Sequence, residues 1–399
     1  MLDVAILGQV ALGYSPLIDK NRSVSATRLT VFPLKPDAAP DAGQLLHAVG
    51  GVWPADGARV SLNVASETLL QDLMKAQPAG NVMVEIPAFM AVDPANSAAI
   101  VALHAHRNTL LLKGRPLAEL PREVLPCFKY SIIDLADERR LDGTQPPPGV
   151  TRSIPHVQAG VRTIEEMEKA FARGAEAVIG WPIDDAVQAG KASSRSGQPD
   201  LQAMMELIRQ VDAAEPIEKL ENTLKRDPSL AFKLMRYINS PAFGLRVEIS
   251  SFRHAIMMLG YKRLKRWVAL LLATASKDVN MKPVMFAAVR RGLLMEELAR
   301  GSGDEEMLGE LFICGVFSLL DRMFQQPFAE LLSSIPVPER VYQALAQESG
   351  PFQPYVAMVR AIENESLFDF REAAEGLMMS VSEINRAQLR ALTAAGQLE

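Results

Sequence analysis

Apolar residues in the N-terminal half of the chain form short runs, separated by stretches with helical spacing. Runs of this length that are rich in Val, Ile and Leu are typical of buried strands. The predicted strands cover residues 5–7, 29–32, 60–64, 82–86, 109–112, 130–134 and 177–179. Because strands and helices alternate so often, we predict an α/β domain whose parallel sheet closes as a TIM-type barrel.

Beyond residue 200 the apolar residues recur at helical spacing. Leu230, Leu234 and Ile238 form one stripe, and the helix that carries them is predicted to stop at Pro241, which has no amide hydrogen. A further helix is predicted to end at Gly260, and another begins one residue later. The pattern therefore predicts an all-α domain in the second half.

Small and polar residues dominate between the two halves, where residues 188–199 offer little to bury. We place the domain boundary in this stretch. The predicted organisation is a barrel domain at residues 1–190, a linker at 191–200 and an all-α domain at 201–399.

Residues 227–244 read DPSLAFKLMRYINSPAFG, and the motifs ISS and AIMMLG follow at 249–251 and 255–260. This order closely resembles the HDOD domain, an all-α signalling output module related to the HD phosphohydrolases. The resemblance covers about residues 201–398. It implies a helical signalling domain, and the first half carries its most specific motifs.

The N-terminal half resembles the EAL domain, a barrel that in active members hydrolyses cyclic di-GMP with two metal ions. The matching pieces are residues 13–18, 62–65, 84–87, 160–163, 171, 174–175 and 180–182. The resemblance implies that six positions depart from the active pattern. Ser15 replaces the signature glutamate, Leu112-Lys113 the paired aspartates, Ile132 a lysine, and Ala159 and Arg162 the glutamates of a later loop.

Two-metal hydrolysis needs several carboxylates to hold cations about 3.5–4 Å apart. Too few remain here, so we predict a degenerate EAL-like barrel without catalysis. Asn63, Glu85 and Asp134 stand at or near the ends of predicted strands and could form a residual nucleotide or metal site. The simpler interpretation is that these side chains cap neighbouring loops.

The helical half is predicted to lack metal chemistry as well. Its resemblance to HD hydrolases places the metal-binding His-Asp pair at Ser318-Leu319, where neither residue is present. His254 is the one histidine between residues 200 and 399, which is too few for a histidine cluster. We predict no catalytic residue, no metal and no cofactor.

A net charge of −5 gives no general attraction to nucleic acid or to acidic membranes. Only Cys127 and Cys314 are present, and no leader peptide or membrane-spanning run is evident, which favours a cytoplasmic protein without membrane insertion. Local positive charge gathers around the predicted helical hairpin. It comes from Arg236, Arg246, Arg253, Lys262, Arg263, Lys265 and Arg266.

A solvated helix face is the simpler interpretation of these basic residues, and a docking surface for another signalling protein is the functional one. Nucleic acid is the weaker option because no aromatic platform accompanies them. We therefore expect a non-catalytic scaffold or sensor that regulates partner proteins, in pathways linked to cyclic di-GMP. A cyclic di-GMP receptor, a weak metal-dependent phosphodiesterase and a homo-oligomer are left open.

Overall fold

Eight strands close into a barrel in the order β1 to β8. The strands are β1 (Val10–Asp19), β2 (Val24–Pro33), β3 (Val60–Val64), β4 (Val82–Pro87), β5 (Leu110–Lys113), β6 (Phe128–Asp134), β7 (His156–Ala159) and β8 (Ala177–Ile179). Strand β1 runs antiparallel to both of its neighbours, and every other adjacent pair is parallel. The predicted α/β barrel is confirmed.

The computed structural model describes residues 4–35, 40–138, 154–185, 199–225, 252–274, 278–335 and 337–396. The chain divides into two compact units. The barrel unit comprises residues 1–185 and 360–386, and the helical unit comprises residues 186–359 and 387–399. The sequence-based division assigned everything after residue 200 to one helical domain, whereas residues 360–386 pack with the barrel.

Alternate residues of each strand point into the barrel, which gives its interior an apolar layer. The layer's buried members are Leu17, Ala26, Met83, Leu111, Ile132, Val157, Ala159, Ala177 and Ile179. Toward the carboxyl ends of the parallel strands the inward positions become polar. Because β1 is antiparallel, its polar inward residue Ser15 precedes Leu17 in the chain, and Ser15 pairs in register with Arg28 on β2.

The sequence pattern did not predict strands β1 and β7, and the strand that it predicted at residues 5–7 is wrong. Residues 5–7 belong to a 3₁₀ helix, Ala5–Gly8, and the first strand begins only at Val10. Strand β1 contains both Gly13 and Pro16, which weaken a strand pattern read from sequence. Strand β7 has only four residues, of which His156 and Gln158 are polar, so it lacks an apolar run.

Helices of the barrel unit follow most of the parallel strands. They are Ala42–Val52, Glu67–Lys75, Ala88–Val92, Ser97–Ala105 and Ile164–Ala172, with 3₁₀ turns at Pro94–Asn96, Leu125–Cys127 and Leu135–Asp137. Ile164–Ala172 begins with a capping box, in which Thr163 and Glu166 satisfy each other's backbone amides. Its buried residues Met167 and Ala170 pack on the outer face of β8 at Val178.

The second segment of the barrel unit, residues 360–386, contains the helix Leu367–Leu377, and the helices Gln353–Glu363 and Val381–Gly396 enter it from either side. Asn385 is fully buried and fixes it to the barrel. Its Nδ2 donates to the carbonyl oxygens of Leu7 and Val10 at 2.8 and 2.7 Å, and its Oδ1 accepts from the amide of Leu12 at 3.2 Å. This segment is therefore hydrogen-bonded to the start of β1.

The helical unit is built from α-helices around an apolar core. Their bounds are Pro199–Asp212, Ile217–Lys225, Phe252–Ala273, Lys282–Ala299, Glu305–Phe317, Leu320–Phe324, Phe328–Ser334 and Glu339–Ala346, with 3₁₀ turns at Val279–Met281 and Arg300–Ser302. Gly260 has a φ of 68° and kinks the helix Phe252–Ala273 where the sequence predicted one helix to end and the next to begin. The prediction of an all-helical second half is confirmed.

Two of these helices, Lys282–Ala299 and Glu305–Phe317, approach each other closely at a pair of glycines. A Cβ atom at Gly315 would lie 2.5 Å from the carbonyl oxygen of Arg291, so only glycine allows this spacing. The turn predicted at Asn239–Gly244 and most of the predicted linker lie outside the described residues. Within the described ranges, no helix combines the length and the apolar character needed to cross a membrane.

Candidate functional site

The mouth of the barrel, where the parallel strands end, collects charged and polar side chains from five strands. Arg28 comes from β2, Asn63 from β3, Glu85 from β4, Lys113 from β5 and Asp134 from β6. The carboxyl ends of barrel strands are the usual place for ligand chemistry in this architecture. The mouth of the barrel is therefore the candidate functional site.

Arg28 forms a forked ion pair with Glu85 in this site. Its Nε donates to one carboxylate oxygen of Glu85 at 2.7 Å, and its Nη2 donates to the other at 2.9 Å. Glu85 is 1% exposed and Arg28 is 7% exposed, so the pair is shielded from water. Ser61 Oγ donates a third hydrogen bond to Glu85 at 3.1 Å. Both carboxylate oxygens of Glu85 are thus engaged by protein donors.

A second carboxylate reaches Arg28 from a distant part of the chain. Glu365 follows the helix Gln353–Glu363, and its Oε2 accepts from Nη1 of Arg28 at 2.9 Å. Its other oxygen, Oε1, accepts from Ser15 Oγ at 2.9 Å. Arg28 therefore bridges Glu85 inside the barrel and Glu365 on residues 360–386.

Lys113 and Asn63 form the second polar pair of the site. Nζ of Lys113 donates to Oδ1 of Asn63 at 2.7 Å, and Nδ2 of Asn63 donates to Thr30 Oγ1 at 3.1 Å. Asn63 is buried, so its amide is oriented by these two partners. The oxygen of Asn63 that could bind a cation is occupied by an ammonium group.

Asp134 stands apart from the other predicted site residues. It is exposed at the end of β6, and its Oδ1 accepts from the amide of Ala136 at 2.9 Å, which caps a 3₁₀ turn. Gly160, with a φ of 79°, packs against the same carboxylate, where a Cβ atom would lie 3.0 Å from Oδ1. The structure gives Asp134 the loop-capping role that was the simpler interpretation, although it also borders the mouth.

A cavity of 270 Å³ opens beside this network. Its lining includes Ser15, Arg28, Lys113, Asp134, Arg162 and Glu365. A larger cavity of 630 Å³ is also bordered by Lys113 and is lined mainly by apolar residues, among them the exposed side chains of Phe89 and Leu117. Lys113 and Gly114 thus line both cavities.

The electrostatics of the site follow from burial and from the two carboxylates. Burial opposes the charge of Arg28, but Glu85 and Glu365 outweigh it and raise its pKa above the ordinary value, so Arg28 stays charged. Burial lowers the pKa of Lys113. Glu85, Glu365 and Asp134 oppose this shift, whereas Arg28 adds to it. The site therefore carries fixed positive charge at its centre.

These residues do not fit a pair of divalent cations. A guanidinium lies within hydrogen-bonding distance of both oxygens of Glu85, and an ammonium holds Asn63, so a metal would have to displace two cations. Among the residues that the structure describes, no group of three or more His, Cys, Asp or Glu side chains is arranged to hold a metal ion.

Sequence reasoning named Asn63, Glu85 and Asp134 but missed Arg28 and Glu365. Arg28 lies inside a strand, two residues before Thr30, and shares its inward face, so strand periodicity could have placed it in the barrel. Glu365 has no comparable signal because it comes from residues 360–386, far away in the sequence. The structure brings Asn63 and Glu85 into the same mouth, each with a cationic partner.

In the helical unit, the predicted basic surface divides into paired and exposed side chains. Arg266 makes two hydrogen bonds to Glu296, at 2.5 and 2.7 Å, and its guanidinium lies 3.8 Å from the ring centre of Phe312. Lys265 pairs with Asp212, whereas Lys262 and Arg263 are exposed. Arg236 and Arg246 lie outside the described residues, as does the side chain of Arg253.

Ser318 and Leu319 stand where HD hydrolases have their His-Asp pair, and both have structural roles in the helical unit. Ser318 follows the helix Glu305–Phe317, and its hydroxyl donates to the carbonyl of Gly315 at 2.7 Å and accepts from Nη1 of Arg291 at 3.0 Å. Leu319 is 3% exposed and belongs to the core. His254 lies near the start of the helix Phe252–Ala273 and is half-buried.

Comparison with known families identifies the helical half. The model of the HDOD domain matches residues 199–329. The uncharacterized protein YuxH of Bacillus subtilis is 27% identical over 168 residues, which cover 40% of this chain and 40% of YuxH. The cyclic di-GMP phosphodiesterase CdgJ of Vibrio cholerae is 27% identical over 154 residues, 38% of this chain and 36% of CdgJ. The matches thus span less than half the length of either relative.

Among solved structures, a standalone EAL protein from Vibrio cholerae in its c-di-GMP-bound form is similar to this chain. The match has 13% identity and a TM-score of 0.32, and it covers 43% of this chain and 90% of the other. The chain contains an HDOD domain at residues 199–329, preceded by a closed eight-stranded barrel.

Proposed function

We propose that this protein is a non-catalytic signal-transduction protein that regulates partner proteins through protein–protein contacts, in pathways that use cyclic di-GMP. One observation carries the proposal. The buried guanidinium of Arg28 engages both carboxylate oxygens of Glu85 at the mouth of the barrel, where a hydrolase of this architecture would hold its metals. A helical domain of the HDOD type accompanies the barrel and would transmit its state to partners.

Electrostatics explain why the mouth would be inactive. A metal-bound water becomes a nucleophile because nearby divalent charge lowers its pKa. Arg28 and Lys113 place monovalent cations among the available ligands, and their attached hydrogens occupy the oxygens that a metal would need. Neither side chain can lower the pKa of a water to the extent that a metal pair does.

The relative CdgJ supports the link to cyclic di-GMP, since it bears the name of a cyclic di-GMP phosphodiesterase. A receptor for the same nucleotide is the second candidate, favoured by the 270 Å³ cavity that Arg28, Lys113 and Arg162 border. Receptor and scaffold share the absence of turnover. They differ in whether the nucleotide binds.

The test is incubation of the full chain with cyclic di-GMP and Mg²⁺ or Mn²⁺, followed by chromatography of the products, beside a calorimetric titration. The proposal predicts no linear or monomeric guanosine product. Turnover that requires the metal and disappears in Glu85→Gln would overturn it and make the protein a phosphodiesterase. Saturable binding without product would identify a receptor.

A further inference from the structure

We propose that Glu365 is an internal competitor for phosphate at the mouth of the barrel, so that a phosphate-bearing ligand binds in its place and releases residues 360–386 from the barrel. This inference describes the regulation of the proposed site and rests on the proposed function. It assigns a role to the one carboxylate in the network that does not come from a barrel strand.

Glu365 already makes the contacts that a phosphate oxygen would make. Its two oxygens accept from Nη1 of Arg28 and from Oγ of Ser15, each at 2.9 Å. Arginine and hydroxyl donors of this kind bind the oxygens of carboxylates and of phosphates. A carboxylate is planar and a phosphate is tetrahedral, but both present negatively charged oxygens that accept hydrogen bonds. The site is therefore built for an anion, and the chain itself supplies one.

Arg28 can exchange its outer anion without losing its position. Its Nε and Nη2 stay bound to Glu85, which is buried, while only Nη1 reaches Glu365. The side chain of Glu365 is 19% exposed, in contrast to the fully buried side chain of Glu85. Water and solutes can thus reach the outer contact but not the inner one.

The anion that exchanges is the one on the outer side of Arg28. Arg28, Lys113 and Arg162 are the cations of the cavity lining, and Glu363, Glu365, Asp134 and Asp137 are its acids, while Arg162 pairs with Asp184 at 2.7 Å. When Glu365 leaves, Arg28 keeps a single carboxylate partner, and an incoming phosphate restores the lost negative charge. The 270 Å³ cavity has room for a phosphate group, since a water molecule takes about 30 Å³ of liquid volume.

Displacement of Glu365 would move its backbone as well as its side chain. Glu365 has a φ of 53°, a left-handed conformation that a non-glycine residue adopts at a cost. Its Cα packs against the barrel, where a Cβ atom added to Gly13 would lie 3.2 Å from its Cγ and 3.3 Å from its Cα. Ser366, the next residue, caps the helix Leu367–Leu377. Ligand exchange at Arg28 would therefore loosen the turn that begins this helix.

The experiment uses the full chain and pyrophosphate as the probe, with no nucleotide and no turnover. Binding is measured by calorimetry, and backbone opening by hydrogen–deuterium exchange of peptides that cover residues 364–371. Glu365→Gln removes the competing charge. Glu372→Gln, an exposed position on the same segment, is the matched control for loss of one negative charge.

We expect pyrophosphate to bind the wild-type chain and to accelerate exchange in residues 364–371. In the Glu365→Gln chain without ligand, residues 364–371 should exchange hydrogen for deuterium faster than in the wild type. This chain should also bind pyrophosphate about tenfold more tightly, because pyrophosphate no longer has to displace a carboxylate from Arg28. Glu372→Gln should behave as the wild type does. Failure of both wild type and Glu365→Gln to bind, or binding that leaves exchange unchanged, would overturn the inference.

Gly13→Ala provides a second test that keeps every charge. The added methyl group presses on Glu365 and Ile362, so it should weaken the docked state and tighten pyrophosphate binding in the same direction as Glu365→Gln. Unchanged binding in a folded Gly13→Ala chain with faster exchange would also overturn the inference. Because none of these readouts measures hydrolysis, they fail or succeed separately from the proposed lack of catalysis.

Discussion

Arg28 binds both carboxylate oxygens of Glu85 at 2.7 and 2.9 Å, and neither side chain is more than 7% exposed. The pair crosses from β2 to β4, spanning β3 between them. Ser61 on β3 supplies a further donor to Glu85. The ion pair and Ser61 therefore link three neighbouring strands at the mouth of the barrel.

Breaking this pair on one side should destabilise the barrel strongly. Arg28→Met leaves the Glu85 carboxylate buried without its cation, which typically costs about 3–5 kcal/mol. The double variant Arg28→Met, Glu85→Leu removes both charges and should be more stable than Arg28→Met alone. Scanning calorimetry of the full chain compares the thermal stability of the two variants. A double variant less stable than Arg28→Met alone would contradict the buried pair as described.

The basis of the barrel prediction was the alternation of apolar runs with helical stretches, and it succeeded for strands such as 60–64 and 82–86. It failed at β1 because Gly13 and Pro16 interrupt the apolar pattern, and at β7 because the strand is short and half polar. A closed barrel supplies hydrogen-bonding neighbours on both sides, which stabilises such strands irrespective of local propensity.

Candidate site residues were predictable to the extent that they end strands. Asn63 and Glu85 satisfied that rule and lie in the mouth. The side chains that decide their chemistry were harder to predict, since Arg28 lies within its strand and Glu365 joins from residues 360–386. A single sequence carries no local signal that residues more than three hundred positions apart share an ion pair.

Asn385 should hold residues 381–386 against the start of β1. Its fully buried amide makes three hydrogen bonds to the backbone, and Asn385→Ala would leave buried carbonyl and amide groups unpaired. Each such loss costs about 1–3 kcal/mol. Hydrogen–deuterium exchange should accelerate in residues 7–12 and 381–386. Asn364 is exposed and belongs to residues 360–386, so Asn364→Ala is the control and should leave exchange at residues 7–12 unchanged.

Lys113 should lose its proton at a lower pH than an ordinary lysine. Burial is the main cause, and the native state therefore releases the proton before the unfolded chain, whose lysine has a pKa near 10.5. The contribution of Lys113 to the free energy of unfolding then rises with pH between the lowered native pKa and 10.5. NMR titration of ¹³C-dimethylated lysines measures this pKa directly.

Two variants test in which direction the neighbouring charges shift the pKa of Lys113. Removing the negative charge of Glu365 with Glu365→Gln should lower the pKa of Lys113 further, whereas Arg28→Met should raise it. A Lys113 resonance that titrates at the ordinary lysine value of 10.5 in the wild type would show that burial does not control this side chain.

Arg266 should stabilise the helical unit, whereas Arg263 should not. Arg266 pairs with Glu296 through two hydrogen bonds and stacks on Phe312, so Arg266→Ala removes both interactions and should cost about 1–3 kcal/mol. Arg263→Ala, at an exposed position three residues earlier, should change stability by less than about 0.5 kcal/mol. Chemical denaturation of the two variants compares them.

Lys262 and Arg263 are accordingly the better probes of the predicted partner surface. Both can be reversed to glutamate with little expected effect on folding, which separates loss of binding from loss of structure. Reversing Arg266 would confuse the two.

Mn²⁺ binding at the mouth of the barrel tests the central claim most directly. Electron paramagnetic resonance of free Mn²⁺ is recorded while the wild-type chain and Glu85→Gln are titrated in parallel. Because Arg28 and Lys113 already engage Glu85 and Asn63, the account predicts that the two chains leave the same free Mn²⁺ signal. A Mn²⁺ site that is present in the wild type and absent in Glu85→Gln would contradict this prediction and show that the barrel binds a metal ion through Glu85.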